Sequence, residues 1–281
     1  MGGCLGKGSK MSIDSDLKDL ASDNVSGSTE LAIKVSRFFV DHAVSGPQVL
    51  EALGKSLYSH FSGMGLVRNT ILELLEVLSK DGDIDKSAKE IRLRISKQSA
   101  KALENAGMLF QDKARVVTIS RSSQVEDAII KHSKNVQMVY VLESRPKLEG
   151  VAFYKSLTDN GIEATLVTDA SMGIACRKSD FAFVGCDSLL GDGTLIHKIG
   201  TLPLFTVMRY FSKSNYAIGI GMKEEAEWAM GKYPQFADHG CEELGIEGGN
   251  CINRYFESVP GPLLSGFVNE KGLIQVSQKY A

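Results

Sequence analysis

The sequence predicts an α/β protein with an N-terminal helical domain followed by a Rossmann-like domain that has a mainly parallel sheet. Over residues 16–110, apolar side chains recur at helical spacing, with almost no strand signal. After residue 110, short apolar runs without polar alternation are separated by helical segments, which is typical of parallel strands buried on both faces. We therefore expect a Gly- and Ser-rich leader at 1–15, a helical domain at 16–110 and the Rossmann-like domain at 111–281.

Four helices are predicted in the helical domain. The first follows Ser28-Thr29-Glu30, because serine is a favourable N-cap residue. Gly46-Pro47 ends that helix and starts the next one, and Gly107 ends the last. Their Leu and Phe stripes are typical of packing surfaces rather than of a cofactor pocket. The helices are, in order, an apolar face from Leu31 to His42, then Val49–Tyr58, Leu66–Leu78 and Ile84–Asn105.

Strands and helices alternate in the Rossmann-like domain. The predicted strands are Arg115–Ile119, Val136–Leu142, the run Gly161–Val167, Phe181–Val184, Tyr216–Ile220 and one near Leu263–Val268. The predicted helices between them are Val125–Ser133, Gly150–Asp159, Met172–Arg177 and Ile199–Phe211, and residues 232–262 are irregular. Because open parallel sheets bind ligands at the carboxyl ends of their strands, we expect the functional residues in the loops that follow the strands.

Composition excludes several classes of protein. The chain has 281 residues, of which 43% are hydrophobic and 23% charged, as in ordinary globular proteins. Its net charge of −2 lacks the basic excess of a nucleic-acid binder. No apolar run approaches the ~18–20 residues needed to span a bilayer. The five cysteines include no C-x-x-C pair, which favours a reducing, cytoplasmic location without a disulfide framework.

Hydroxyl and basic side chains follow the first two predicted strands. The cluster Ser120–Ser123 precedes a helix, so its hydroxyls and backbone N–H groups suit a phosphate, although an N-cap and turn is the simpler interpretation. Arg145 follows the second strand and offers a planar guanidinium to a phosphate or carboxylate. The alternative is a surface ion pair between Arg145 and Glu143 or Glu149.

An aspartate, a histidine and a lysine follow the fourth predicted strand. Asp187 emerges from a buried strand, so its pKa is expected to be raised and its carboxyl to suit acid or base catalysis. His197 lies close by, and Lys198 at a predicted helix start suits a phosphate, with a helix cap or a loop ion pair as alternatives. Dinucleotide, P-loop, nucleophile-elbow and zinc spacings are all missing, so we predict no cofactor and no metal.

Six motifs occur in a fixed order along the second half of the chain. They are ESRPKLEG at 143–150, GI at 161–162 with DA at 169–170, VGCDS at 184–188, DG at 192–193, HKIGT at 197–201 and FESVP at 256–260. This series resembles the superfamily of the alpha, beta and delta regulatory subunits of translation initiation factor 2B and of the ribose 1,5-bisphosphate and methylthioribose 1-phosphate isomerases. The resemblance covers nearly the whole chain and implies a helical domain before a Rossmann-like one.

The chain departs from the isomerase pattern at several positions. In the isomerases the first strand ends in a Thr-His-Cys-Asn-Ser-like motif whose cysteine works with the aspartate, whereas here Ser120 replaces the cysteine and Ile119 the histidine. A serine hydroxyl does not take the role of an ionisable thiol without a base beside it, and Ile119 supplies none. The phosphate-holding Arg-Gly-Ala stretch matches Ser26-Gly27-Ser28, and the Asn-Lys pair matches His197-Lys198.

The resemblance therefore implies a set of site residues and two functions. The predicted ligand-binding residues are Gly27, Ser120, Ser122, Arg145, His197 and Lys198, with Asp187 catalytic if the protein is an isomerase. We expect a non-catalytic, regulatory or ligand-sensing protein like a factor 2B subunit, with a cleft for a sugar phosphate or nucleotide. The alternative is an aldose–ketose isomerase of either type named above, and a third possibility is a small-molecule-binding protein unrelated to translation.

Partners are also implied by the resemblance. We expect a homodimer or a higher oligomer that forms through the Rossmann-like domain, and an initiation factor 2 subunit is a further expected partner. A small phosphorylated molecule is the expected ligand. Neither direct nucleic-acid binding nor membrane association is expected, because the basic excess and the long apolar run that they need are missing from the sequence.

Overall fold

The computed structural model describes residues 13–23, 26–225 and 234–276. Most of the leader predicted at 1–15 lies outside these residues, and the first described helix already begins at Ile13. Helices come first along the chain and a mainly parallel sheet follows, so the predicted fold class is confirmed.

Helices alone form the described part of the chain before residue 106. Pro47 lies in the first turn of its helix, where a missing N–H costs nothing, and the Asp83 carboxylate caps the longest helix by accepting from Lys86 N at 3.0 Å. The helices are α1 (Ile13–Ala21), α2 (Ser28–Asp41), α3 (Pro47–His60), α4 (Gly65–Ser79) and α5 (Ile84–Asn105). Their apolar faces meet in one core that contains the fully buried Leu31, Val35, Phe39, Leu66, Ile71 and Leu74.

Strands and helices alternate in the remainder of the described chain. The strands are β1 (Ala114–Thr118), β2 (Val136–Leu142), β3 (Ala164–Val167), β4 (Phe181–Val184), β5 (Ser188–Leu190), β6 (Leu195–Lys198), β7 (Ser214–Ile218), β8 (Glu224–Glu225), β9 (Phe256–Val259), β10 (Gly266–Asn269) and β11 (Gly272–Ile274). The helices are α6 (Ser123–Lys131), α7 (Glu149–Asp159), α8 (Met172–Lys178) and α9 (Thr201–Tyr210).

The central sheet has seven strands in the order β11-β10-β7-β4-β1-β2-β3, all parallel except the last hairpin, β10–β11. The chain builds β1, β2 and β3 outward in one direction and then returns to place β4 on the other side of β1. In open α/β sheets, ligands bind at such a reversal of strand order, outside the carboxyl ends of the two strands. The fold therefore predicts a ligand site at the loops that follow β1 and β4.

A second, four-stranded sheet in the order β8-β5-β6-β9 stands beside these loops, and the sequence did not predict it. The prediction that Lys198 lies at the start of a helix is wrong. His197 and Lys198 end β6, which pairs antiparallel with β5 and β9, and α9 begins only at Thr201. The strands of this sheet have two to four residues each, too few to show a periodic pattern.

One disulfide contradicts the prediction of a chain without disulfides. Cys241 and Cys251 are bonded, with Cα atoms 5.8 Å apart. The glycine-rich segment between them turns the chain back on itself, and a separation of ten residues in sequence carries no signal for such a turn. Cys176 and Cys186 are buried free thiols, and Cys4 lies outside the described residues.

A buried ion pair joins the helical domain to the second sheet. Arg68 Nη1 of α4 donates to Glu225 Oε2 of β8 at 2.6 Å, and the two side chains are only 5% and 2% exposed. The Ser188 hydroxyl of β5 donates to Glu225 Oε1 at 2.5 Å and accepts from Gly65 N at 2.7 Å. The first turn of α4 is thereby fixed to β5 and β8 of the second sheet.

Replacing Arg68 by Ala should leave Glu225 as a buried carboxylate without its guanidinium partner. We expect the free energy of unfolding to fall by about 3–5 kcal/mol, measured by urea denaturation. The Lys89→Ala variant, which removes the exposed pair with Asp85, should lose about 0–1 kcal/mol. The double variant Arg68→Met/Glu225→Leu should recover most of the loss, and an Arg68→Ala loss no larger than that of Lys89→Ala would contradict the assigned role.

Candidate ligand-binding cleft

A cavity of about 600 Å³ opens at the carboxyl ends of β1 and β4, where the strand order reverses. Its walls come from the loop after β1, the loop after β4, the ends of β6 and β9 and the first turn of α2. The site therefore includes residues from both domains. Its volume is in the range of sites for small molecules.

The loop after β1 is held in place by hydrogen bonds to the loop after β2. Ser120 has a positive φ of 68°, and its backbone N–H donates to Ser144 Oγ at 2.7 Å. The Ser144 hydroxyl in turn donates to Leu142 O at 2.9 Å. The loop after β4 lies directly against the loop after β1, because a Cβ atom on Gly185 would come within 2.7 Å of Ser122 Oγ. Glycine is therefore required at 185 for the two strand-end loops to lie this close.

Two buried lysines contribute positive charge to the inner part of the cavity. Lys198 Nζ lies 2.6 Å from Glu149 Oε1, and Lys223 Nζ donates to Cys186 O at 2.6 Å and to Gln124 Oε1 at 3.2 Å. Both lysine side chains are almost completely buried. The hydrogen bonds of Lys223 go to neutral oxygens, and its charge acts on the nearby Asp187 carboxyl, whose pKa it lowers. The lining also carries carboxyl groups, among them Glu149 and Asp187, so the two ammonium groups offer an anion local rather than net positive charge.

Two helix N-termini also border the cavity. The N-cap positions of α2 and α6 are Gly27 and Ser122, and neither provides a side-chain hydrogen bond to its helix. The first N–H groups of a helix carry partial positive charge, so both ends add to the potential of the lysines. Residues 26–30 and 120–124 line the cavity at these two points.

Asp187 lies at the inner end of the cavity, directly after β4. Its backbone is fixed on both sides, because Asp187 N donates to Ile196 O at 3.1 Å and Asp187 O accepts from Gly65 N at 3.0 Å. Burial raises the pKa of the carboxyl to about 6, and Lys223 and Lys198 oppose that rise. Asp187 therefore exchanges a proton close to neutral pH, which suits a group in acid or base catalysis.

His197 is neutral and presents a hydrogen-bond acceptor to the cavity. Burial lowers its pKa to about 3, and the charges of Lys223 and Lys198 lower it further. The Thr201 hydroxyl donates to Lys198 O at 2.7 Å, so at the 2.9 Å contact between His197 Nδ1 and Thr201 Oγ1 the ring nitrogen is the donor. Nε2 is therefore unprotonated, and it lies on the side of Gly185.

The outer rim of the cavity is organised around Glu243. Burial raises its pKa, but hydrogen bonds from Lys147, Tyr255 and Asn253 lower it more strongly, to about 2. Glu243 therefore stays ionised and holds Lys147 and Tyr255 together at the entrance. The Cys241–Cys251 disulfide closes the segment that carries Glu243.

The structure brings most of the predicted site residues to this one cavity. Gly27, Ser120, Ser122, Asp187, His197 and Lys198 all line it. Arg145 does not, because its side chain is exposed and lies outside the lining, while its backbone N–H donates to Asp169 Oδ2 at 2.7 Å. No group of three or more His, Cys, Asp or Glu side chains placed to hold a metal ion occurs in residues 13–23, 26–225 and 234–276.

The sequence interpretation missed several residues of the cavity. Glu149 was considered only as a partner for Arg145, yet its Oε1 accepts from Lys198 and lies 3.3 Å from Ser120 Oγ. Lys223 and Tyr255 had no signal, because Lys223 ends a single 3-10 turn and Tyr255 directly precedes β9, and neither segment was predicted as a strand or helix. The signal for Glu149 was its position at the start of a predicted helix, after a strand, within the ESRPKLEG motif.

Comparison with known proteins identifies the family. The chain matches the Initiation factor 2 subunit family over residues 65–276, more than half of its length, and it belongs to that family. It is 24% identical over 200 residues to a translation initiation factor eIF-2B subunit 2-like protein of Pyrococcus furiosus, covering 70% of this chain and 71% of that protein. It is also 24% identical over 188 residues to the ribose 1,5-bisphosphate isomerase of Methanocaldococcus jannaschii, covering 63% and 61%. The match thus spans less than two thirds of that isomerase.

Solved structures share the fold. The translation initiation factor eIF-2B of Pyrococcus horikoshii OT3 superposes with a TM-score of 0.78 at 21% identity, covering 96% of this chain and 98% of that one. The tetrameric eIF2B-beta2-delta2 complex from C. thermophilum superposes with a TM-score of 0.71 at 13% identity, covering 95% and 92%. Within the residues described, no helix is both long and apolar enough to cross a bilayer.

Sulfate binding should depend on the protonation of Asp187. Sulfate keeps its charge at all pH values near neutrality, and His197 stays neutral there. Protonation of Asp187 removes a negative charge from the cavity, so affinity should be highest below pH 6 and fall about tenfold between about pH 5 and about pH 7. Isothermal titration calorimetry measures the profile. Asp187→Asn should bind sulfate equally well at both ends of this range, and a persistent slope in that variant would exclude Asp187 as its source.

Proposed function

We propose that this protein is a regulatory, ligand-sensing member of the family, similar to a factor 2B subunit, whose cleft binds a small phosphorylated molecule without converting it. One observation carries the proposal: Ser120 stands at the strand end where the isomerase pattern has its cysteine. The thiol beside Asp187, Cys186, does not substitute for it. Burial raises the pKa of Cys186 far above neutrality, so it remains a protonated thiol.

The environment of Ser120 supports a binding role. Glu149 Oε1 lies 3.3 Å from Ser120 Oγ, which is long for a hydrogen bond between a hydroxyl and a carboxylate. The same carboxylate oxygen accepts from Lys198 at the shorter distance of 2.6 Å. Glu149 Oε1 is shared between the Lys198 ammonium group and the Ser120 hydroxyl, and the contact with Lys198 is the shorter one. We propose that this ion pair leaves the serine an unactivated hydroxyl.

The charge of the cavity supports a phosphorylated ligand. Lys198 and Lys223 are buried inside it, and the N-termini of α2 and α6 border it. A sugar phosphate or a nucleotide combines the negative charge that this potential favours with a size that fits about 600 Å³.

An aldose–ketose isomerase is the second candidate function. It is favoured by the pKa of Asp187, about 6, since a carboxyl that exchanges protons near neutrality suits the transfer of a proton between neighbouring carbons. The match to a ribose 1,5-bisphosphate isomerase favours it too, at modest identity. In that case Asp187 would act as the acid and base, and Ser120 would bind substrate.

Purified protein should not convert ribose 1,5-bisphosphate to ribulose 1,5-bisphosphate, because Ser120 stands where the isomerase pattern has its cysteine, and burial raises the pKa of Cys186, the thiol that lines the cavity among the described residues. The reaction is followed by chromatography of the sugar phosphates, with binding of the same compound measured by calorimetry. Binding without turnover supports the regulatory function. Turnover that is lost in Asp187→Asn would instead establish the isomerase.

A cytoplasmic homodimer or higher oligomer is proposed for the assembly, formed through the Rossmann-like domain. Ile174 of α8 and Tyr210 of α9, 62% and 83% exposed, place apolar surface on adjacent helices of that domain. The C. thermophilum relative is a tetramer. A subunit of initiation factor 2 is proposed as a further partner, consistent with a role in translation, and co-purification with such a subunit tests it.

Tyr210→Glu should shift the protein toward the 30.5 kDa monomer in light scattering after size-exclusion chromatography. A charge at a dimer contact is desolvated without a partner, so association weakens. The control is Val44→Glu, at an equally exposed apolar position in the helical domain. An unchanged mass for both variants would exclude the α8–α9 surface as the contact.

A further inference from the structure

The segment closed by the Cys241–Cys251 disulfide has little packing of its own. Residues 241–252 are all described, and none of them is buried. Their regular structure is one short 3-10 turn, Cys241–Leu244, and three of their glycines have positive φ. The segment therefore depends on the disulfide and on a few polar contacts for its position, because it contributes no side chain to a core.

One residue of this segment reaches the entrance of the cavity. Glu243 Oε1 accepts from Lys147 Nζ and from the Tyr255 hydroxyl, each at 2.5 Å, and Asn253 Nδ2 donates to Glu243 Oε2 at 2.9 Å. Lys147 and Tyr255 line the cavity. Because Glu243 lies inside the disulfide-closed segment, the position of that segment decides whether the two lining side chains are held together.

A reductant in solution can reach this disulfide. Cys241 and Cys251 are only half-buried, whereas the free thiols of Cys176 and Cys186 are buried. Accessible disulfides exchange with thiols, and disulfides in cytoplasmic proteins are commonly transient and redox-sensing. In the cytoplasmic location proposed above, the bond is therefore expected to break and re-form in the folded protein.

We propose that the Cys241–Cys251 disulfide is a redox-sensitive clasp at the cavity entrance, which holds Glu243 against Lys147 and Tyr255 when oxidised and releases them when reduced. A dithiol supplies two electrons and two protons, so that the S–S bond breaks, two thiols form and the dithiol becomes a disulfide. Residues 242–250 then regain conformational freedom that the closed loop denies them. The clasp acts on the entrance whichever molecule the cavity binds.

The amine of Lys147 reports the state of the clasp. Its hydrogen bond to Glu243 raises its pKa, so less of the amine is unprotonated and reactive while the clasp is closed. Oxidised protein, and protein reduced by dithiothreitol that is then removed under nitrogen, are pulsed with acetic anhydride at one pH. Mass spectrometry follows acetylation of Lys147, with Lys89 as the reference. Reduction should speed Lys147 about threefold, as for loss of a partly exposed ion pair, and leave Lys89 unchanged.

Three variants separate the clasp from a general effect of reduction. Glu243→Gln removes the charged partner and keeps both cysteines, so Lys147 should react at the fast rate in both redox states. Glu242→Gln removes an exposed carboxylate from the same turn and should keep the threefold response. The double variant Cys241→Ser/Cys251→Ser should react at the fast rate and ignore dithiothreitol.

Two results would overturn the proposal. If reduced glutathione leaves the disulfide intact in the folded protein, as shown by alkylation of free thiols, the bond is a permanent structural link. If the disulfide is reduced but Lys147 reacts at one rate in both states, the bond does not control the entrance. Thermal melting of each sample shows that a faster reaction does not come from unfolding.

Discussion

The buried pair of Arg68 and Glu225 is the constraint on which the cleft depends. Both side chains are almost fully buried, so losing one partner leaves the other charge out of water, and the pair stabilises the packing of α4 against β8. Ser188 and Gly65 extend this arrangement to β5 and to the backbone of Asp187. The start of α2 consequently faces the strand-end loops across one cavity, although it belongs to the other domain.

Two lysines set the chemistry of that cavity. Lys198 and Lys223 limit how far burial raises the pKa of Asp187, and they add to the burial that keeps His197 neutral. Their ammonium groups offer local positive charge to an anion, beside the neutral ring of His197. Charged groups and neutral hydrogen-bonding groups thus lie side by side in one small cluster, whether or not the cavity also performs a reaction.

Membership of the Initiation factor 2 subunit family does not by itself decide between a regulator and an enzyme, since a fold supports several functions through the residues of its site. Matches to an initiation factor and to an isomerase at the same identity, 24%, leave that decision to the local chemistry. The positions that bear on it are Ser120, where the isomerase pattern has a cysteine, and Glu149, whose Oε1 lies nearer to Lys198 than to Ser120.

The sequence by itself determined the fold class, the loops that carry the site and the family, because periodicity and short motifs depend on residues close together in the chain. Only the tertiary structure decided that Glu149 faces Ser120, 29 residues away, that Lys223 reaches Gln124, 99 residues away, and that Arg145 lies outside the cavity. The second sheet and the Cys241–Cys251 disulfide also came from the structure alone. Such contacts join residues that are far apart in the sequence, and a pattern within a short stretch of sequence therefore cannot predict them.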